Sequence, residues 1–410
     1  MAHGLRPTVL MSDLSVATRP WTCPFCPLLC DDFGVEAGAD GALSLVGSAC
    51  PRAGAALGRF SSPASAATPA LQGQLCDLDT AITAAARLLA ASRQPLFGGL
   101  GTDVAGARAL YALACATGAI CDAAQGQPLM QGVRALQDRG GFSTTLAELR
   151  TRADLVLCFG GLPTARHPEF LNRAGLAVDD PRLLVLAEGE GDDLFDAAAR
   201  LAALIEGRAA AGAPAALAAA AQRLQAARYA VLVYETSRLG RNGALVIEML
   251  QRVVATLNRS TRAATLALGG GDGAATVNQV FTWLSGLPLR SRLGPQGLEH
   301  EPLVFDAGRL CADGAVDLLL WVASFGTEAP PPPPNTLPRI VLGHPSLAGV
   351  AGTDADVFIP VATPGIGSDG HLFRTDGAVL MPLHPVRPET LPTVAEVLRR
   401  LSAALAVVSA

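Results

Sequence analysis

From Asp77 onward the chain alternates between two hydrophobic patterns. Long Ala- and Leu-rich segments repeat their apolar positions at helical spacing, and between them lie short, wholly apolar runs bounded by Gly, Pro or Asp. The first pattern is that of a helix burying one stripe, the second that of a strand covered on both faces. It predicts helices over 77–92, 102–116, 194–205, 242–257 and 274–283, the first opened by an acidic turn. Strands are predicted over 95–100, 154–159, 182–186, 229–234, 265–268, 316–322 and 339–342. The Ala-rich stretch 209–221, broken by Gly212 and Pro214, reads as a helix with its linker. Such an alternation implies the α/β class, with one or two doubly wound parallel sheets, helices on both faces and ligands at the carboxyl ends of the strands.

The first 75 residues break the pattern. They are punctuated by Cys, Pro and Gly, and only 33–36 and 43–46 alternate as strands do, so they read as a small β module folded around something. The expected division is a Cys-rich module over 1–75, α/β domains over 76–190 and 191–330, and a return segment over 331–410 that packs on the preceding domains. Five consecutive prolines, Pro330 to Pro334, favour polyproline II and read as an exposed connector. No short repeat recurs along the chain.

Composition narrows the function. Of 410 residues, 50% are hydrophobic, 16% charged and 5% aromatic, which excludes a disordered chain and leaves Ala, Leu and Val to build the core. A net charge of -5 provides no cation excess for a phosphate backbone or an anionic bilayer, so neither nucleic acid nor membrane is the expected partner. No apolar run approaches the ~18 residues of a membrane span, and residues 1–20 lack a signal-peptide pattern, so the expected compartment is the cytoplasm.

Four of the nine cysteines fall in one short segment. Cys23, Cys26, Cys30 and Cys50 are spaced C-x2-C-x3-C-x19-C, and Pro24 and Pro27 stiffen the loop that carries the first three. A triplet completed by one distant cysteine followed by Pro51 suits a [4Fe-4S] cluster better than the paired CxxC of a zinc ribbon. Zinc, a loop without metal and a purely structural metal staple are the alternatives. Cys76, Cys115, Cys121, Cys158 and Cys311 stand singly in apolar contexts and read as core thiols. His167, His344, His371 and His384 lie in loop-like contexts and read as local hydrogen-bonding residues, since no HExxH or His/Cys ligand spacing occurs. Gly269 to Gly273 (GGGDG) follows a strand and precedes a helix; it is either a phosphate cradle or a tight turn.

The segments CPFCPLLCDDFGVE with SACPRAG, PLFGGLGTDVAGARA, ALQDRG, ADLVLCFGGLPTARHPEFLNR, VNQVFTWLSGLP and DVFIPVATPGIGSDGHLFRTDG run colinearly through almost the whole chain. Together they resemble the molybdopterin oxidoreductases and, within them, the B subunits of formylmethanofuran dehydrogenase and of the bacterial formyltransferase/hydrolase complex. The resemblance implies a molybdopterin-oxidoreductase-like fold in which Cys23, Cys26, Cys30 and Cys50 bind an iron-sulfur cluster feeding a tungsten or molybdenum bis-pterin centre. It also implies a metal-ligating cysteine shortly before the ALQD motif, where this chain has Gln127 and Pro128, with Cys121 about two helical turns upstream. Where the family carries a basic residue ahead of VNQVFTW, this chain has Gly269. The match is therefore better to the subunit that acts without redox chemistry. On that resemblance the chain is a structural subunit with no catalytic residue and no tungsten or molybdenum pterin of its own. It would sit in a hetero-oligomeric complex of tetrahydromethanopterin-linked one-carbon metabolism, on the route of formaldehyde oxidation in methylotrophs, with partner subunits handling a methanofuran-like carrier. The rival is an active oxidoreductase subunit with a tungsten or molybdenum bis-pterin centre and the [4Fe-4S] cluster as electron relay.

Overall fold

The computed structural model describes residues 21–60, 67–186, 193–210, 212–326, 337–349, 357–387 and 389–408; Pro330 to Pro334 and residues 1–20 lie outside them. The amino-terminal part is a hairpin of β1 (Gly34–Ala37) and β2 (Leu43–Val46), followed by α1 (Pro51–Leu57). Pro51 sits in the first turn of α1, where its missing N–H leaves no bond unmade. The chain then forms β3 (Ala70–Leu71), β4 (Gln74–Leu75), α2 (Leu78–Ala91), β5 (Pro95–Gly101), α3 (Val104–Thr117), β6 (Ile120–Cys121) and α4 (Gly126–Arg139). Asp77 and Asp103 cap α2 and α3 by accepting from the amides of Thr80 and Gly106.

A second run comprises α5 (Leu146–Arg152), β7 (Leu155–Phe159), α6 (Phe170–Ala174), β8 (Leu183–Leu186), α7 (Asp193–Ile205), α8 (Ala215–Ala226), β9 (Tyr229–Glu235), α9 (Gly243–Leu257), β10 (Arg262–Leu268) and α10 (Ala274–Ser285). The rest is β11 (Ser291–Gly294), β12 (Gly297–His300), α11 (Ala307–Ala312), β13 (Leu318–Ala323), β14 (Arg339–Gly343), β15 (Val357–Pro360), β16 (Gly370–Phe373), β17 (Leu380–Leu383) and α12 (Val394–Val408). Among the described residues no helix is long and apolar enough to cross a membrane.

Two larger sheets organise these elements. One has nine strands in the order β12-β11-β6-β5-β13-β14-β15-β3-β4, parallel from β6 to β15 and antiparallel at both edges. The other is wholly parallel in the order β10-β9-β7-β8. The chain is therefore mixed α/β with parallel sheets. The expected boundary at 190/191 falls between β8 and β9, both strands of the four-stranded sheet, while the nine-stranded sheet gathers strands from either side of that sheet in sequence.

Period-two side-chain alternation explains why the central strands read as unbroken apolar runs. Leu155, Leu157 and Phe159 of β7 face one core with α7, α8 and α9, whereas Val156 and Cys158 face another. In β13, Leu318, Leu320 and Val322 pack against α2, α3, α10 and α12, while Leu319 and Trp321 join Phe305 and Leu310 on the other face. The Gly98–Gly99 pair in β5 makes room for Trp321. A Cβ on Gly98 would stand 2.8 Å from the indole, and Gly99 has φ +74° with the Val322 carbonyl 2.6 Å from where its Cβ would be.

The β11–β12 edge is held by a buried charge cluster. Arg290, 1% exposed, donates to Asp122 at 3.1 Å, to Asp306 at 2.5 Å and to the Gln127 side chain at 3.3 Å. Burial lifts the Asp122 carboxyl to about 6, although Arg290 and the Ala307 amide pull it down. Removing one partner of such a cluster leaves a guanidinium desolvated with less to bind. Asp122→Ala should therefore cost about 3 kcal/mol, read as a drop in the denaturant midpoint at unchanged slope; a loss below about 1 kcal/mol would mean that the cluster behaves as a surface pair.

Candidate functional site

The four motif cysteines come together on one face of the four-stranded sheet. Cys23, Cys26, Cys30 and Cys50 are all buried and share a core with Trp21, Phe25, Val156, Val231, Val233 and Leu266. The loop closes on itself: the Cys23 amide donates to Cys30 and the Leu29 amide to Cys26, with Leu29 in the left-handed region at φ +46°. Trp21 donates through its indole to the Gly365 carbonyl at 2.7 Å, and Arg52 through Nε to Phe25 at 2.6 Å, which ties the loop to the carboxyl-terminal third and to α1.

Burial raises the Cys23 thiol, and proximity to Cys26, Cys30 and Cys50 raises it further. Burial likewise lifts Cys26 to about 11 against Arg52, and raises Cys30 against Arg173. Burial and mutual proximity thus disfavour bare thiolates in this loop. Among the described residues, no three His, Cys, Asp or Glu side chains stand in metal-binding geometry in this conformation.

A crevice of two joined compartments lies at the carboxyl ends of β9 and β10. The larger, about 290 Å³, is mostly apolar, walled by α4 through Leu129, Val133 and Leu136 and by Tyr234 and Ile247. The smaller, about 220 Å³, is polar and touches Arg52, Arg166, His167, Glu235 and the glycine loop. Pro128, Leu129, Thr236, Gly269 and Gly270 line both. Of the cysteine loop only Pro27 reaches the crevice, so the four thiols sit behind its wall.

Gln127 and Pro128 lie in the first turn of α4, and Pro128 lines the crevice while the Gln127 amide oxygen accepts from Arg290. Cys121 does not substitute for a missing ligand: it is buried in the core under α3 and its thiol faces the Ala119 carbonyl. No sulfur donor lines either compartment among the described residues, so the residues here do not fit a thiolate-ligated tungsten or molybdenum centre. Gly269 also lacks space for the family's basic side chain, since a Cβ there would fall 2.5 Å from Thr236 Oγ1. The GGGDG segment forms the tight turn into α10 and also lines the polar compartment.

The histidines separate into kinds. His344 pairs with Ser346 at 2.6 Å and His384 with Asp369 at 3.3 Å, in the local roles expected. His371 is exposed on β16. His167 differs from expectation: its ring is buried and Nδ1 has no hydrogen-bond partner among the described residues. Burial, then the charges of Arg52 and Arg166, hold His167 down at about 4 against the Pro163 backbone beside the ring, which raises it. Glu235, also buried, is paired with Arg166 at 3.3 Å and accepts from Ser237. Sequence reasoning passed over Arg52, Arg166 and Glu235; the available signal was the ARHPEF segment and the end of the β9 run. Of the single cysteines, Cys121 and Cys158 are buried, and Cys76, Cys115 and Cys311 are half-buried.

No family model matches the chain. It is 33% identical over 353 residues to the B subunit of the formyltransferase/hydrolase complex Fhc of Methylorubrum extorquens, covering 81% of this chain and 96% of the relative. It is 25% identical over 398 residues to the B subunit of the tungsten-containing formylmethanofuran dehydrogenase 2 of Methanocaldococcus jannaschii, covering 88% of this chain and 91% of that one. Its fold superposes with a TM-score of 0.73, at 32% identity, on a chain of the crystal structure of the M. extorquens formyltransferase/hydrolase complex (FhcABCD) with methylofuran, covering 83% of this chain and 99% of that chain.

His344 is held at about 4 by burial and by Arg59 and Arg387, much as His167 is by its own surroundings. In the unfolded chain both titrate near 6.5, so between about 6.5 and 4 the unfolded state binds protons that the folded state refuses. The stability they contribute is complete above that window and is lost as pH falls through it. The double replacement His167→Gln, His344→Gln should flatten the pH dependence of the denaturation midpoint between pH 4.5 and 7; an unchanged slope would assign it to other groups.

Proposed function

The chain belongs to the family of B subunits of the formyltransferase/hydrolase complex, and we propose that it fills that place in such a hetero-oligomeric complex as a structural subunit. One observation carries the reading. At the head of α4, where redox relatives need a metal-ligating cysteine, this chain has Gln127, turned to Arg290, and Pro128, which lines a crevice without any sulfur donor among the described residues. A subunit so built has no group on which to bind tungsten or molybdenum through a thiolate, and no step of a reaction is derived through such a centre. Its value to a complex is then shape: two packed sheets on a molybdopterin-oxidoreductase-like plan, offering surfaces to partner subunits.

On this reading the complex serves tetrahydromethanopterin-linked one-carbon metabolism in the cytoplasm, and the partner subunits bind the methanofuran-like carrier and carry out formyl transfer and hydrolysis. Cys23, Cys26, Cys30 and Cys50 hold a [4Fe-4S] cluster. Four buried thiols in mutual electrostatic contact, with Arg52 and Arg173 nearby to offset thiolate charge, support that assignment. When bound, the cluster supplies an electron store and a staple for the amino-terminal module. The retained cysteines and the 25% identity to tungsten-containing relatives favour a second reading, an active oxidoreductase subunit with a bis-pterin centre.

Metal analysis and absorption spectra of the complex, purified without oxygen, separate the two. The expected result is about four iron atoms per chain and neither tungsten nor molybdenum. Cys26→Ser should remove the iron and its absorbance, while formate release falls only as far as assembly does. Tungsten or molybdenum near stoichiometric amounts would sink the structural reading, and iron-free wild-type complex would sink the cluster.

A further inference from the structure

Two arginines approach the four-cysteine loop from different elements. Arg52 of α1 does so by a hydrogen bond to the loop backbone, Arg173 of α6 by pairing with Asp31 and Asp32. We propose that Arg173 sets the reduction potential of the cluster held by Cys23, Cys26, Cys30 and Cys50, with Asp31 and Asp32 holding its guanidinium beside Cys30. The inference rests on the cluster reading above and deepens it, and it requires no pterin centre.

α6 brackets the last two cysteines of the motif. Its apolar residues Phe170 and Ala174 are fully buried in the core that contains all four thiols. Just ahead of the helix, Glu169 accepts from Ser48 Oγ at 3.0 Å, and that same oxygen accepts from the Cys50 amide at 3.1 Å. Near its other end, Arg173 donates from Nη1 to Asp31 at 2.7 Å and lies 3.5 Å from Asp32, the two residues that follow Cys30. These contacts join segments 121 and 142 residues apart, so tertiary packing and not a local turn brings the guanidinium to the loop.

Exposure makes the charges unequal. One-electron reduction adds a negative charge to a cluster, so a nearby cation favours the reduced form and a nearby anion disfavours it. The Arg173 side chain is 15% exposed and is screened little, whereas Asp31 and Asp32 are 44% and 48% exposed and act through water. Glu169 is engaged by Ser48 and by Asn172 at 3.2 Å. Arg173 and Cys30 each favour the charged form of the other, while Asp32 and Glu169 disfavour a thiolate at Cys30. Arg52 favours a thiolate at Cys26, but its Nε also holds the Phe25 carbonyl at 2.6 Å, so removing it would loosen the loop. Arg173 reaches the loop through carboxylates, and its charge can be changed with the loop backbone left bonded as it is.

The test is a redox titration of the complex purified without oxygen, reduced stepwise by dithionite and followed by the electron paramagnetic resonance of the reduced cluster. Arg173→Gln should weaken reduction about tenfold, a negative shift of ~59 mV for a one-electron couple. Arg173→Lys keeps the charge and should restore the wild-type potential. Asp32→Asn should shift the potential the opposite way, and it decides the matter if Arg173→Gln loses its iron: a positive shift supports the inference and an unmoved potential refutes it. A loaded Arg173→Gln cluster at the wild-type potential, or shifts of one sign in both variants, also refutes it and leaves the cluster standing. Iron-free wild-type complex removes the cluster reading itself, and this inference with it.

Discussion

Parallel sheets covered on both faces impose the constraint on which the rest of this structure depends. Away from its ends, a central strand must then be built mainly of apolar or small residues, because each side chain enters one core or the other. β7, β9 and β13 are buried along their whole length, and so is β5, with glycines where Trp321 crosses it. Polar chemistry is thereby expelled to the strand ends and the loops beyond them. The crevice between α4, the end of β9 and the glycine loop is where those loops meet.

The cysteine loop is attached to that frame from behind. Phe25, Trp21 and the thiols cover the apolar face of β7, β9 and β10, so the loop is part of the core of the four-stranded sheet as well as a candidate ligand set. That double role offers a physical reason for four cysteines to persist in a chain whose neighbouring crevice lacks a sulfur donor: they fill volume that the sheet needs covered. Each is small and apolar when protonated, and burial disfavours a bare thiolate at Cys23, Cys26 and Cys30.

The changes near Gln127 and Gly269 fit each other. Gln127 is drawn to Arg290 and so joins the buried cluster that anchors the β11–β12 edge, while Thr236 approaches Gly269 too closely for a side chain to enter. Beside them lies the polar compartment, with its buried imidazole and paired Arg166–Glu235.

Much of this was legible in the residues. The helices opening at Asp77 and Asp103, the apolar runs of β7, β9, β10 and β13, and the hairpin strands near 34–37 and 43–46 follow from periodicity and capping, which are local properties. The short strands β11, β12, β16 and β17 did not announce themselves, because edge and hairpin strands of four residues carry too few alternations to stand out. Nor could the sequence order the sheets, since pairing β5 with β13 across more than 200 residues depends on which apolar faces find each other. Sequence alone determined the α/β class and the four-cysteine motif, because each is a matter of residue type and spacing; that a thiolate is wanting before ALQD is what the family resemblance implied. Only the tertiary structure decided that Arg52 and the adjacent Arg166 and His167 share a compartment with the glycine loop, because these three segments are far apart in sequence and long-range packing alone brings them within reach of one another.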